Sequence, residues 1–262
     1  MKLNHIIYLA ISTAILSIAC NDADKQWLTE KHKRYSLSYT SKEKANIKDY
    51  VVLIDNGIKH IEVFFNSNYK QSFEIFIHHD RHSIDSTWQK DWNIPGFKSE
   101  CWMVASGVAN KLDMISPKRW EKEACEHLYS ETVKTQQLVT HELVHVYHGQ
   151  LNISPDFSNV EGIDWFVEGL ATYISGQCDS FRISDVQNAI SNDNMPANLD
   201  DFWSGKNKYG LSGSIVMFID RRYGRAKLIE ILPLNRKTDI LSTLRTTESE
   251  LLKEWQRFIQ LL

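Results

Sequence analysis

His141-Glu142-Leu143-Val144-His145 is the stretch on which the reading of this chain turns. Leu138, Val139, Leu143, Val144, Val146 and Tyr147 supply a broad apolar surface around it, and no Pro or Gly occurs from Thr132 to His148, so the segment reads as a helix. On a helix the two histidines lie one turn apart on the same face. Imidazoles so placed can grip a single Zn²⁺, and a glutamate between them is positioned to take a proton from water. A helix that merely carries two histidines and a glutamate is the competing explanation. The neighbouring segments have to decide between them.

The second decisive stretch is Asp164-Trp165-Phe166-Val167-Glu168-Gly169-Leu170-Ala171-Thr172-Tyr173-Ile174. Asp164 can cap it, and Trp165, Val167, Leu170, Ala171 and Ile174 make it an apolar helix. A glutamate in such a helix is costly unless it meets a cation or a metal. His141, His145 and Glu168 therefore form a two-nitrogen, one-oxygen donor set for one zinc ion, with a fourth position open as in catalytic sites. Glu142 is the candidate general base. His148 is a weaker ligand candidate than Glu168. His78, His79 and His82, at the end of a strand and irregularly spaced, read as surface or core residues.

Composition bounds the rest. The 262 residues are 42% hydrophobic and 24% charged with a net charge of -3, enough for a sizeable core and without a basic stripe for nucleic acid. Lys2 followed by the apolar run from Ile6 to Ala19 matches a secretory signal too short to span a bilayer (residues 1–19). Ala19-Cys20 before the polar run Asn21–Lys25 predicts lipidation at Cys20, although Ser17 stands where such signals usually carry Leu. The expected location is the bacterial cell envelope, lipid-anchored to a membrane. Cys101, Cys125 and Cys178 would then share one disulfide and one odd thiol; Cys101 and Cys125 are nearest in sequence, but spacing does not decide the pairing.

In chain order, residues 20–40 read as a polar tether. Ser41 is a plausible cap for a long helix whose apolar stripe runs Ile47, Tyr50, Val51, Ile54, Ile58, Ile61, Phe64 and Phe65, and Asn66-Ser67-Asn68 stops it. Ser72–His79 alternates as a strand, and Ser83–Gln89 forms a short helix. Trp102–Ile115 makes one or two strands broken near Ser106-Gly107, which could be internal or present an edge to an extended substrate. Further helices are expected over Lys208–Tyr223, Ala226–Leu232 and from the Thr247-x-x-Glu250 capping box onward.

The HELVH segment, with the W-x-x-E-G-x-A-x-Y pattern of Trp165–Tyr173, resembles the gluzincin metallopeptidases, in particular the bacterial thermolysin-like, peptidase-MA-like group. Tyr209-Gly210-x-x-Gly213-Ser214-Ile215-Val216-x-Phe218, followed by Tyr223-Gly224, is similar to that group's C-terminal helix. The resemblance runs from about Ser41 to Leu234. It implies an α+β, zincin-like fold over residues 41–262. The N-terminal lobe (about 41–150) would hold the long helix, a small mixed sheet and the HExxH helix, and the C-terminal lobe (about 151–262) would be mainly helical. It also implies zinc-dependent hydrolysis of a peptide or protein substrate, with Tyr209, before its helix, as transition-state donor in preference to Tyr173. Thermolysin proper has an acidic residue four places after the ligand glutamate, where this chain has Thr172, so support for a zinc histidine must come from elsewhere. The alternative from another class is a catalytically silent metal-binding or interaction lipoprotein that retains the fold. Glu142 argues against it, since a pure binding site needs no base.

Overall fold

The computed structural model describes residues 26–262. The export segment 1–19 and the lipidation expected at Cys20 lie outside the described residues. Five strands form one mixed sheet: β1 (Trp27–Lys31), β2 (Tyr35–Thr40), β3 (Phe73–His78), β4 (Ala105–Val108) and β5 (Lys111–Ile115), in the spatial order β1-β2-β3-β5-β4. β2, β3 and β5 run parallel, and β1 and β4 close the two edges antiparallel.

Residues 26–40 correct the tether reading. Tyr35, Leu37 and Tyr39 alternate with the small polar Ser36, Ser38 and Thr40, of which Ser38 and Thr40 are buried as well, a period-2 pattern that the polar residues disguise. Leu37 lies beside Ile75 and Tyr39 beside Ile77, so β2 is an interior strand of the sheet. Ser41–Glu43 is a short 3₁₀ turn, not the start of the long helix. α1 (Ile47–Phe65) begins after it and ends where expected, because Asn66 takes the left-handed conformation (φ 48°) and Ser67 N–H returns to the Glu62 carbonyl. α2 (Arg81–Asp91) is capped by Asp80, whose side chain accepts from Ser83 N–H. β4 runs through Ser106 and Gly107, and the chain reverses two residues later, at Ala109-Asn110.

α3 (Trp120–Glu123) is a single turn, and α4 (Thr132–Gly149) is the helix that carries HELVH. α5 (Asp164–Ile174) follows; its N-cap is Ile163, so Asp164 sits in the first turn rather than capping it. The remainder is helical: α6 (Ser180–Ser191), α7 (Lys208–Tyr223), α8 (Arg225–Ile231), α9 (Lys237–Leu244) and α10 (Glu248–Gln260). α10 opens with the Thr247–Glu250 capping box read from sequence. α6 and α9 are not among the helices expected from sequence; α9 spans eight residues, and α6 buries only Val186 and Ala189.

The inward sheet face (Leu37, Ile75, Ile77, Leu112, Met114) joins α1, α4, α5 and α7 in one continuous apolar core. Two glycines set how closely the site-bearing elements approach. A Cβ on Gly107 would lie 2.3 Å from the Glu142 carbonyl oxygen, so β4 passes directly against the first turn of the motif. A Cβ on Gly169 would lie 2.2 Å from the Ser212 carbonyl oxygen, so α5 and α7 touch backbone to backbone beside Glu168. Neither contact can be relieved by a rotamer change. Gly107→Ala is therefore expected to destabilise the fold by about 1–3 kcal/mol as β4 is forced away from α4. An unchanged urea midpoint would refute that close approach.

Candidate metal centre and its cleft

α4 places His141 and His145 one turn apart, both buried, and their Nε2 atoms lie 3.1 Å from each other. α5 crosses α4 and delivers Glu168, whose Oε2 is 3.3 Å from His141 Nε2 and 3.7 Å from His145 Nε2. Tetrahedral zinc holds nitrogen and oxygen ligands at about 2.0–2.2 Å, which puts any two of them roughly 3.3–3.6 Å apart. The three distances bracket that edge length, and all three donors can point to one centre. The donor chemistry also fits. Burial pushes the Glu168 carboxyl upward, but His145 and His141 more than reverse it and hold it well below the usual carboxylate range. Burial likewise opposes protonation of His145, and Glu168 outweighs it, so that imidazole is raised. The carboxylate and the two imidazoles are thus electrostatically coupled at one point.

His141 Nδ1 donates to Gln177 Oε1 at 2.8 Å, which leaves its Nε2 lone pair aimed at the other donors. Thr172 makes no such contact: its hydroxyl is buried without a partner. Gly176 (φ 80°) turns the chain back after α5 and brings Gln177 over α4, where Gln137 Nε2 holds the Gly176 carbonyl at 2.8 Å. Sequence reasoning missed Gln177. The one available hint was the Ser175-Gly176 turn immediately behind the ligand helix.

The donors open onto a cleft of about 480 Å³. Glu142 and Tyr209 both line it. Tyr209 lies in the first turn of α7 rather than before the helix. Burial, with Glu168 and Glu142 nearby, pushes its phenol up to about 12, so it stays protonated and able to donate at physiological pH. Tyr173 is turned away: its hydroxyl donates to Asp220 at 2.9 Å, and its ring packs edge-on against Phe64. His148 does not join the donors. Its Nε2 donates to the Leu232 carbonyl at 3.0 Å, and burial lowers its pKa to about 3. Asp164 lines the cleft and is raised by burial and by Glu168, whereas Glu161 pairs with Arg236 outside it. Strand β4 forms one wall, so of the two readings left open for it, the edge is the one observed.

Other sequence candidates take structural roles. His78 bridges Asp113 (2.9 Å) and Ser83 (3.0 Å), and His79 contacts the buried Glu43. Cys101 and Cys125 form the disulfide, and Cys178 remains a partly buried thiol pushed up to about 12 by burial, hence unreactive.

No protein-family model matches this chain, and no curated protein matches it. Among solved structures, native yeast LTA4 hydrolase aligns with a TM-score of 0.48 and 14% identity over 90% of this chain. The aligned region covers 38% of that larger protein.

The Gln177 contact makes a measurable claim. Gln177→Ala is expected to weaken zinc binding by about 10- to 100-fold in chelator competition while leaving the thermal midpoint of the metal-free protein unchanged. Equal affinity in the variant would remove Gln177 from the site.

Proposed function

We propose that this protein is a zinc metallopeptidase of the gluzincin type, hydrolysing peptide bonds in the cleft between β4, α4, α5 and α7. The observation that carries the reading is the convergence of His141, His145 and Glu168 from two helices onto one point open to a cleft that also contains Glu142. Bound there, zinc would acidify a water molecule and polarise the substrate carbonyl. Glu142 takes a proton from the attacking water and returns it to the leaving amine, so one water is consumed and one acid and one amine are released. The Tyr209 phenol donates a hydrogen bond to the oxyanion that develops on the carbonyl. Gln177 keeps His141 in the tautomer whose Nε2 is free, and β4 supplies backbone groups against which an extended peptide can lie.

Glu142→Gln should bind zinc one-to-one, as the unmodified protein does, yet cleave no member of a peptide library. Tyr209→Phe should lower kcat by about 10²- to 10³-fold with little change in KM. Stoichiometric zinc without cleavage by the unmodified protein would favour the silent metal-binding alternative, and an unchanged kcat in Tyr209→Phe would remove that tyrosine from the chemistry.

We also propose export to the bacterial cell envelope and a lipid anchor at Cys20. The signal-like start and the Cys101–Cys125 disulfide, a bond suited to an oxidising compartment, support this reading. On fractionation, Cys20→Ala should move the protein from the membrane to the soluble fraction; retention in the membrane would sink the anchor.

A further inference from the structure

Among the described residues Lys208 is the single Lys or Arg that lines the cleft, and its ammonium lies near three aromatic rings. Its Nζ lies 5.0 Å from the centroid of Trp102, 4.6 Å from Trp203 and 5.3 Å from Tyr209. Trp203 and Tyr209 meet edge-on at 4.9 Å and fix the geometry of two of these walls. Among the described residues Lys208 has no carboxylate partner, and no acidic residue stands in the first turn of α7 to neutralise it. The other charged groups on the cleft surface are carboxylates: Glu142, Asp156, Asp164 and Glu168.

Ring faces attract an ammonium but do not satisfy its hydrogen-bond donors. A lysine held in this way has already lost part of its rotamer freedom while keeping its capacity to pair with an anion. Because Lys208 itself fills the cage, the rings are not a receptor for a cation on the substrate. An incoming carboxylate would therefore meet an ammonium already flanked by ring faces.

We propose that Lys208, braced by Trp102, Trp203 and Tyr209, recognises a carboxylate on the substrate, either an acidic side chain or a free C-terminus. This subsite rests on the peptidase reading only in placing the substrate in the same cleft. Tyr209 would then serve two purposes, its ring forming part of the cage and its hydroxyl facing the reacting carbonyl.

The test is binding of three peptides of equal length to the zinc-loaded Glu142→Gln protein, followed by tryptophan fluorescence. One peptide carries a single Glu and an amidated C-terminus, one a free C-terminus and no other acid, and the third is amidated and has no acid. The expected result is that at least one carboxylate peptide binds about tenfold or more tightly than the neutral one. Which of the two does so identifies the source of the carboxylate. Adding Lys208→Met should abolish the difference, whereas Lys208→Arg should retain it. Equal binding of all three peptides, or discrimination that survives Lys208→Met, would overturn the proposal. So would a uniform change for all peptides in Lys208→Met, since that would make the lysine a latch across the cleft. Cleavage by the unmodified protein separates the two readings: carboxylate discrimination without cleavage leaves the subsite and removes the peptidase, and cleavage without discrimination does the reverse.

Discussion

Glu168 is an acceptor-only carboxylate set into a helix whose other faces are apolar, and the protein around it is arranged to make that position tolerable. A lone carboxylate drawn away from water would protonate or drive its helix outward. The relief comes from His141 and His145, which approach it to 3.3 and 3.7 Å from the next helix. That approach requires α4 and α5 to cross closely, and α5 also packs on α7 at backbone distance through Gly169. On the other side α4 is pressed against β4 across Gly107. The donor atoms thus stand at the centre of a stack, β4–α4–α5–α7, whose spacing is set by residues that have no side chain.

How much of this the sequence disclosed depended on the length and type of each pattern. The two helices bearing the donors were legible because a 3.6-residue apolar period sustained over three or more turns is hard to imitate. Asn66 was legible because a left-handed helix cap has few residue solutions. β2 was not, since six residues alternating Tyr and Leu with Ser and Thr look hydrophilic in bulk, and their burial is decided by pairing with β3, thirty-five or more residues away. Gln177 belongs to the same class of failure. Its role comes from a turn that folds back on α4, and an isolated glutamine carries no chemical signature of orienting an imidazole. The break assigned near Ser106-Gly107 had a related cause: glycine there marks close passage of another backbone, not the end of a strand.

A fully buried carboxylate elsewhere in the fold shows that charge alone does not mark a site. Glu43 is as enclosed as any apolar core residue, yet its oxygens are taken up by His79, by the Ser116 hydroxyl at 2.5 Å and by Asn46 at 3.2 Å. Both oxygens are engaged by neighbouring donors, so Glu43 joins the sheet to the turn before α1. Glu168 differs because its imidazole neighbours share one focus with it and leave one side open to solvent.

The loop that carries Trp102 is held by a guanidinium and a disulfide. The segment from Ser99 to Met103 has no regular secondary structure, and its carbonyls would otherwise rely on water. Arg81, at the start of α2, donates to the Ser99 hydroxyl, to the carbonyls of Glu100, Cys101 and Met103, and to the carbonyl of Glu123. The Cys101–Cys125 bond ties the same segment to the chain just beyond α3. Trp102 sits in the middle of this doubly held loop as a half-exposed indole. Its ring contributes one face of the Lys208 cage because its backbone neighbours on both sides are immobilised. The two sides of the cleft are thus built by opposite means. The donor side is brought together by the absence of side chains at Gly107 and Gly169, and the Trp102 loop by a disulfide and one side chain that satisfies many backbone groups at once.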